Sequence, residues 1–147
     1  MVLRGSNAHG RWSPNGEFEV LYTSVERDGA LAEIGYRLSL EPIWPSRIQH
    51  DLHKIGIRTE KTLHFADTAA LQSLGVDPTK YAGFDYTATQ AITAAAHFLG
   101  FDGLLVPSAR APCQNLVLFV ERVTETGHLE VLETTPVDWT AWRKAKK

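Results

Sequence analysis

One cysteine, Cys113, stands among 147 residues. No disulfide can close within the chain, and no zinc site built on cysteine thiolates can form. Such poverty in cysteine fits a reducing compartment. Excess charge of one sign is lacking too: 15 Lys and Arg face 17 Asp and Glu, a net charge of −2. Binding to nucleic acid through its phosphates needs clustered cations. The one basic cluster here is the tail, Arg143 to Lys147, read as a solubilising helix end. No apolar run approaches the ~20 residues of a membrane span. The opening stretch MVLRGSNAHGRW has no apolar core of a secretory leader. The expectation is a cytoplasmic protein with no direct contact to nucleic acid or membrane. Neither G-x-G-x-x-G nor a Walker loop is present, which excludes those classes of nucleotide site. Without G-x-S-x-G, no serine here reads as a hydrolase nucleophile.

What is present is ordinary globular material, 44% apolar and 22% charged, without repeats or long linkers. One domain over 1–147 is expected, able to bury roughly 70% of its unfolded surface. SNAHGRWSPNGE is loop-like, and FEVLYTS follows as a strand with Phe18, Val20 and Tyr22 on one face. Asp28 is read as the N-cap of a helix through GALAEIGYRLSL, which the prolines of EPIWPSRI end. IRTEKTLHFAD reads as one strand or a broken pair, TAALQSLGV as a short helix closed by Gly75, and DPTKYAGFDY as an irregular connection. TATQAITAAAHFLGF is the strongest helix, with capping-box spacing at Thr87 and Gln90 and a small apolar surface that implies burial. GLLVPSA is a buried strand. NLVLFVERV and HLEVLETTPV read as two more strands joined by a hairpin at ETG. PVDWTAWRKAKK closes as a helix whose Trp139 and Trp142 suit packing on a sheet. The fold class is mixed α/β.

Four positions carry polar groups that folding does not require. Arg11, in a loop, offers a donor fork suited to phosphate or carboxylate; a surface or tryptophan-stacked arginine is the plain alternative. Tyr22, at a strand end, either walls a pocket or is a half-buried rim aromatic. Glu33 borders the apolar stripe of its helix: either it pairs with Arg37 at i,i+4, or it is a pocket carboxylate able to stabilise positive charge. Ser108, just past GLLVP, sits where open α/β sheets place ligands, or is simple turn chemistry. His50 and His53 in HDLH read as a solvated helix face rather than metal ligands, and His97 as a satisfied core histidine.

Together with their settings, GRWSPNG, VLYTS, ALAE, GLLVPSAR and NLVLF, these residues resemble the RES-domain family, which is named for its arginine, glutamate and serine. The likeness runs from about Gly10 to Phe119. It implies a single domain with an ADP-ribosyltransferase-like fold, central mixed or antiparallel sheets flanked by helices, and the role of toxin in a toxin–antitoxin pair. It implies NAD+ as substrate, degraded by hydrolysis or phosphorolysis, with protein ADP-ribosylation and a purely binding role as alternatives. The family's functional arginine, tyrosine, glutamate and serine map onto Arg11, Tyr22, Glu33 and Ser108, and a following asparagine onto Asn115. The family's common Arg-Trp-Asn stands here as Arg11-Trp12-Ser13, so the asparagine's part is either lost or moved to Asn15. Arg4 either stands for an upstream arginine or is incidental. An Xre-like antitoxin and an oligomeric complex are implied as partners, and neither metal nor cofactor beyond the NAD+ substrate.

Breaking the nicotinamide–ribose bond expels a neutral ring and leaves a cationic sugar. On this reading Glu33 stabilises that sugar, as carboxylates do in glycosidases. Arg11 neutralises the pyrophosphate, Tyr22 meets the nicotinamide riboside, and Ser108 positions nicotinamide or a ribose hydroxyl. All of it requires Arg11 and Glu33 to open onto one cleft.

Overall fold

The computed structural model describes residues 10–14, 18–45 and 47–145. Arg4, Asn15 and Gly16 lie outside the described residues. Strand β1 (Val20–Ser24) leads into helix α1 (Arg27–Ser39). Strands β2 (Asp51–Arg58) and β3 (Thr62–His64), helix α2 (Thr68–Gln72), a 3-10 turn (Pro78–Lys80) and helix α3 (Thr87–Phe98) follow. Strands β4 (Gly103–Pro107) and β5 (Gln114–Phe119), helix α4 (Val120–Thr126), strand β6 (His128–Pro136) and helix α5 (Trp139–Ala145) complete the order. The architecture is mixed α/β with two sheets. One has four strands in the order β1-β5-β4-β3, and the other pairs β2 with β6. In the larger sheet β5 runs antiparallel to β1 and β4, and β3 runs parallel to β4.

The register fixes where function can sit. Asn115 lies on the inner strand β5, opposite Ser24 on one side and Val106 on the other, and Pro107 pairs with Gln114. The end of β1, the start of β5 and the chain leaving β4 therefore meet at one end of the sheet.

Two apolar clusters hold the elements. The larger gathers Trp12, Val20, Phe65, Leu71, Val76, Tyr81, Ile92, Leu104, Val117 and Phe119 between the larger sheet and α3. Fully burying each large side chain contributes about 1.5–3 kcal/mol. The smaller joins Leu31 and Leu38 of α1 to Trp139, with Trp44, Leu52 and Trp142 against them.

Several sequence expectations are corrected. Asp28 is not the N-cap of α1: Glu26 occupies that place in extended conformation, and Asp28 falls in the first turn, where its charge favours the helix dipole. The capping-box reading at Thr87 and Gln90 fails as well. Tyr86 holds the N-cap of α3 without a side-chain bond; Asp85 just before it accepts from the Thr87 N–H at 3.1 Å and its hydroxyl at 2.8 Å, while Gln90 reaches back to the Gly10 carbonyl at 2.8 Å. Helix α3 buries one face only, through Thr89, Ile92, Thr93 and Ala96. Ala91 and Ala95 are exposed, which costs little for so small a side chain. NLVLFVERV is a strand only to Phe119, where α4 begins; the expected hairpin does not form, because β6 pairs with β2. HDLH is no helix face: Asp51 to His53 open β2 and His50 precedes it, Trp139 donates to His50 Nδ1 at 2.9 Å, and His53 bonds Thr134. The broken-pair reading of IRTEKTLHFAD is the correct one, since β2 and β3 belong to different sheets. Asp102 explains the break, since its buried carboxylate accepts from the N–H groups of Glu60 and Lys61 between them. His97 is half-buried and stacked on Phe18 with ring centroids 3.8 Å apart. Trp139 and Trp142 pack chiefly on α1, and Arg143 lies over the Trp44 ring rather than serving only as a solvated end.

Gly35 makes the α1–α5 contact possible, because a Cβ there would collide with the Trp142 ring. Alanine in a helix interior is normally better than glycine by about 1 kcal/mol, whereas overpacking costs about 1–3 kcal/mol. Gly35→Ala is thus expected to destabilise the protein by up to about 2 kcal/mol, and to stabilise it by about 1 kcal/mol once Trp142→Ala has emptied the space. Urea denaturation of the four proteins of this cycle checks the reversal of sign.

Candidate active site

A cavity of about 360 Å³ opens at the sheet end where β1, β4 and β5 meet. Arg11, Tyr22, Glu33 and Asn115 line it, so the arginine and the carboxylate share one cleft. Aromatic rings form much of the remaining wall: Trp12, Tyr36, Tyr81, Phe84 and Tyr86. A second groove of about 390 Å³, beside Trp44, Ile48 and Trp139, brings together none of the residues singled out above.

Helix α1 delivers the carboxylate. Gly29, Glu33 and Arg37 are four residues apart and share one helix face. A Cβ at Gly29 would overlap Cys113 Sγ and Ser24 Oγ, so glycine lets this face lie directly on the sheet end. One turn on, Glu33 Oε1 accepts from Ser108 Oγ at 2.8 Å and Asn115 Nδ2 at 2.9 Å. Oε2 has no hydrogen bond among the described residues. The Ser108 hydroxyl oxygen also accepts from the N–H groups of Arg110 at 3.1 Å and Ala111 at 3.2 Å. Its proton and its lone pairs are both engaged, and Ser108 is not in the cavity wall. Asn115 Oδ1 is buried without a hydrogen-bond partner. The reverse amide orientation would set that oxygen against the carboxylate, so the donor must face Glu33. An orphan acceptor of this kind costs about 1–3 kcal/mol, a local cost characteristic of functional sites.

The Arg11 loop closes over Tyr22. The Tyr22 hydroxyl accepts from the Trp12 N–H at 2.9 Å and bonds Ser13 Oγ at 2.8 Å. Tyr22 is 40% exposed as a residue, but its hydroxyl is tucked under this loop, and burial raises its pKa. Ser13 thus supplies a polar contact to Tyr22 beside Trp12. The guanidinium of Arg11 donates to the carbonyls of Tyr81 and Gly83 and lies about 5 Å from the Tyr86 ring centroid. Arg110 stacks on Tyr36, 3.6 Å from its centroid, and donates to the Ala82 carbonyl.

The aromatic wall was missed from sequence, where DPTKYAGFDY read as an irregular connection. A signal was there: Tyr81 and Phe84 lie between Asp77 and Asp85, and Tyr86 directly follows. Asp77 accepts from Thr79, and Asp85 from Thr87, so both aspartates cap a turn and keep the connection in one shape. These hydrogen bonds lower the pKa of both carboxyls. Arg37 also escaped notice, having been considered only as a partner for Glu33. No Glu33–Arg37 ion pair forms.

The RES domain family model matches residues 3–140. The chain belongs to the RES domain family. It is 37% identical over 130 residues to a Mycobacterium tuberculosis (strain ATCC 25618 / H37Rv) protein named "Probable NAD(+) phosphorylase Rv3189", a match covering 86% of this chain. This RES chain spans 62% of that relative's length. Its fold is similar to that of a chain in the crystal structure of the M. tuberculosis MbcT–MbcA toxin–antitoxin complex, with a TM-score of 0.81 and 24% identity. That similarity covers 98% of this chain and 81% of the other. Arg11 and Glu33 stand in the cavity wall, and Ser108 stands behind the carboxylate.

Tyr81 anchors the wall. Its hydroxyl donates to the Pro107 carbonyl at 2.5 Å, and burial pushes its pKa up to about 12. A pKa raised on folding contributes stability below the unfolded value near 10 that is lost as pH climbs through the folded value. At 1.36 kcal/mol per unit, the loss between pH 10 and 12 is about 2.7 kcal/mol. Titration followed by tyrosinate absorbance is expected to show one phenol ionising near pH 12 or together with alkaline unfolding. That component should be missing in Tyr81→Phe.

Proposed function

We propose that this RES domain degrades NAD+ by breaking the nicotinamide–ribose bond, and that it acts as a cytoplasmic toxin restrained by an Xre-like antitoxin in an oligomeric complex. Membership of the family, the relative named as an NAD(+) phosphorylase and the fold shared with a toxin–antitoxin complex support the reading. The observation that carries it is the Glu33 carboxylate, fixed through one oxygen by two neutral donors in an aromatic cavity that also holds arginines.

Nicotinamide leaves as a neutral ring, so little acid catalysis is needed. The demand falls on stabilising positive charge that develops on the ribose. A fixed carboxylate supplies this without reorganising during the reaction. In this proposal Glu33 Oε2 faces the sugar, while Oε1 keeps its bonds to Ser108 and Asn115. Ser108 and Asn115 are then positioning residues acting through Glu33, and Ser108 makes no covalent attack. Arg11 faces the pyrophosphate. Tyr22 and the ring wall contact the nicotinamide riboside. No step needs a metal or a further cofactor.

Glutamine at 33 can still accept from Ser108 and Asn115 but has no charge. Glu33→Gln should therefore melt within a few degrees of the parent while NAD+ turnover drops at least about 100-fold, in the range of single electrostatic groups. Chromatography of NAD+, nicotinamide and ADP-ribose products measures it, and full turnover in the variant would remove Glu33 from the reaction. Arg11→Ala should raise KM for NAD+ at least about tenfold, with a smaller effect on kcat, as expected for a binding contact. It should also lower the melting temperature, because the Tyr81 and Gly83 carbonyls lose their donor. An unchanged KM would rule out contact between Arg11 and the pyrophosphate.

A further inference from the structure

The cavity contains three guanidinium groups, and they are not equivalent. Those of Arg11 and Arg110 are held by main-chain carbonyls and aromatic rings. Arg37 lines the same cavity, and its guanidinium has no hydrogen bond or ion pair among the described residues. Its position is set by α1. It lies four residues beyond Glu33, about 6 Å further along the helix axis at 1.5 Å per residue. Its charge also reaches the Tyr22 hydroxyl, on the strand facing α1. An unpaired fork therefore stands one helical turn from the carboxylate in the same cavity wall. Helix formation does not require it, and it covers no partner's charge.

We infer that Arg37 is the residue that captures inorganic phosphate as the acceptor, so that it selects phosphorolysis over hydrolysis. The inference rests on the proposed NAD+ cleavage and names its second substrate. Phosphate is an anion, and the site already contains the Glu33 carboxylate and would contain the dinucleotide's pyrophosphate. Without a local cation, repulsion keeps phosphate away, and water, which is uncharged and far more concentrated, becomes the acceptor. An arginine fork binds phosphate through two parallel charge-assisted hydrogen bonds. Arg11 is assigned to the pyrophosphate, and Arg110 is committed to Tyr36 and Ala82. Arg37 is the cavity cation left to receive the second anion.

The step balances. An oxygen of the hydrogen phosphate dianion forms a bond to the ribose carbon as the carbon–nitrogen bond to nicotinamide breaks. The bonding pair passes to the ring nitrogen, which becomes neutral. The products are nicotinamide and ADP-ribose carrying a phosphate on that carbon, with no proton to be placed. Hydrolysis of the same bond releases a proton instead.

The test compares the parent with Arg37→Ala, Arg37→Lys and, as a control for surface charge, Arg27→Ala, which lies outside the cavity wall. NAD+ turnover is followed over a range of inorganic phosphate concentrations, and products are resolved by phosphorus NMR. In the parent, the phosphorylated product should predominate at millimolar phosphate. In Arg37→Ala the phosphate concentration for half-maximal turnover should rise at least tenfold and the product should shift towards free ADP-ribose. KM for NAD+ should move less than threefold, and Arg37→Lys should recover part of the phosphate dependence. A parent that turns over NAD+ but yields only free ADP-ribose overturns the inference. So does an Arg37→Ala product ratio equal to the parent's, or a loss that falls on KM for NAD+ instead. A parent that leaves NAD+ intact sinks the underlying reading of NAD+ cleavage, a result distinct from all of these.

Discussion

The site depends on how closely α1 approaches the end of the larger sheet. At Gly29 the helix backbone meets Ser24 of β1 and Cys113 before β5 with no room for a side chain. That contact sets the height at which Glu33, one turn later, meets Ser108 and Asn115. Any residue larger than glycine at 29 would lift this face of the helix, and hydrogen bonds of 2.8–2.9 Å would not survive an ångström of displacement. On its other side the same helix is clamped by Trp139 and Trp142 through Leu31, Gly35 and Leu38. One glycine therefore seats the polar face and another the apolar face, and the carboxylate lies between two rigid contacts. Positional accuracy of this kind is what electrostatic catalysis requires, because a charge that must move first loses its advantage.

The loop of Arg11 and the connection from Tyr81 to Tyr86 are distant in sequence yet form one wall. Arg11 joins them by donating to the Tyr81 and Gly83 carbonyls, and Thr89 of α3 donates back to the Arg11 carbonyl. Gln90 adds a bond to the Gly10 carbonyl. The Tyr22 hydroxyl then fastens the same loop to β1 through Trp12 and Ser13. The opening stretch of sequence has this pattern for a structural reason. Trp12 fills the core, its backbone N–H finds the tyrosine, and the arginine beside it is turned towards the cavity.

Much of this was legible in sequence because it rests on local signals. The strand of Val20 to Ser24, the helix carrying Glu33 and the buried strand GLLVP followed from periodicity and proline. Arg11, Tyr22 and Glu33 stand out by their settings and Asn115 only through the family resemblance, and the fold brings all four to one cavity. What was not legible depended on long-range pairing. The apolar run through Phe119 and the segment after it look like a hairpin, but β6 has its partner 70 residues or more upstream in β2, and only α4 reconciles the two. Asp85 and Asp102 were invisible as structural carboxylates, because a cap and a turn are recognised by geometry rather than by residue type. The irregular segment 77–86 had no periodicity to read, and its order comes from caps, a tyrosine hydroxyl and an arginine in another part of the chain.

Glu33 makes no ion pair with the arginine one turn away. An i,i+4 glutamate and arginine on one helix ordinarily make a weak surface pair. Here the ion pairs among the described residues join Arg27 to Asp28, Arg58 to Glu60 and His128 to Glu130, all on exposed side chains. Glu33 takes neutral donors instead. A guanidinium bound directly to the carboxylate would cancel its field in the cavity, since opposite charges in contact act at a distance as a dipole. An asparagine and a serine fix the same oxygen while leaving the full negative charge in place. Their low cost in charge comes with a structural demand, the orphaned Asn115 oxygen, which the site tolerates. By the same reasoning Arg37 retains a whole positive charge one turn away. Two opposite charges stand on one helix face without meeting, and each remains able to act on a different part of whatever enters the cavity.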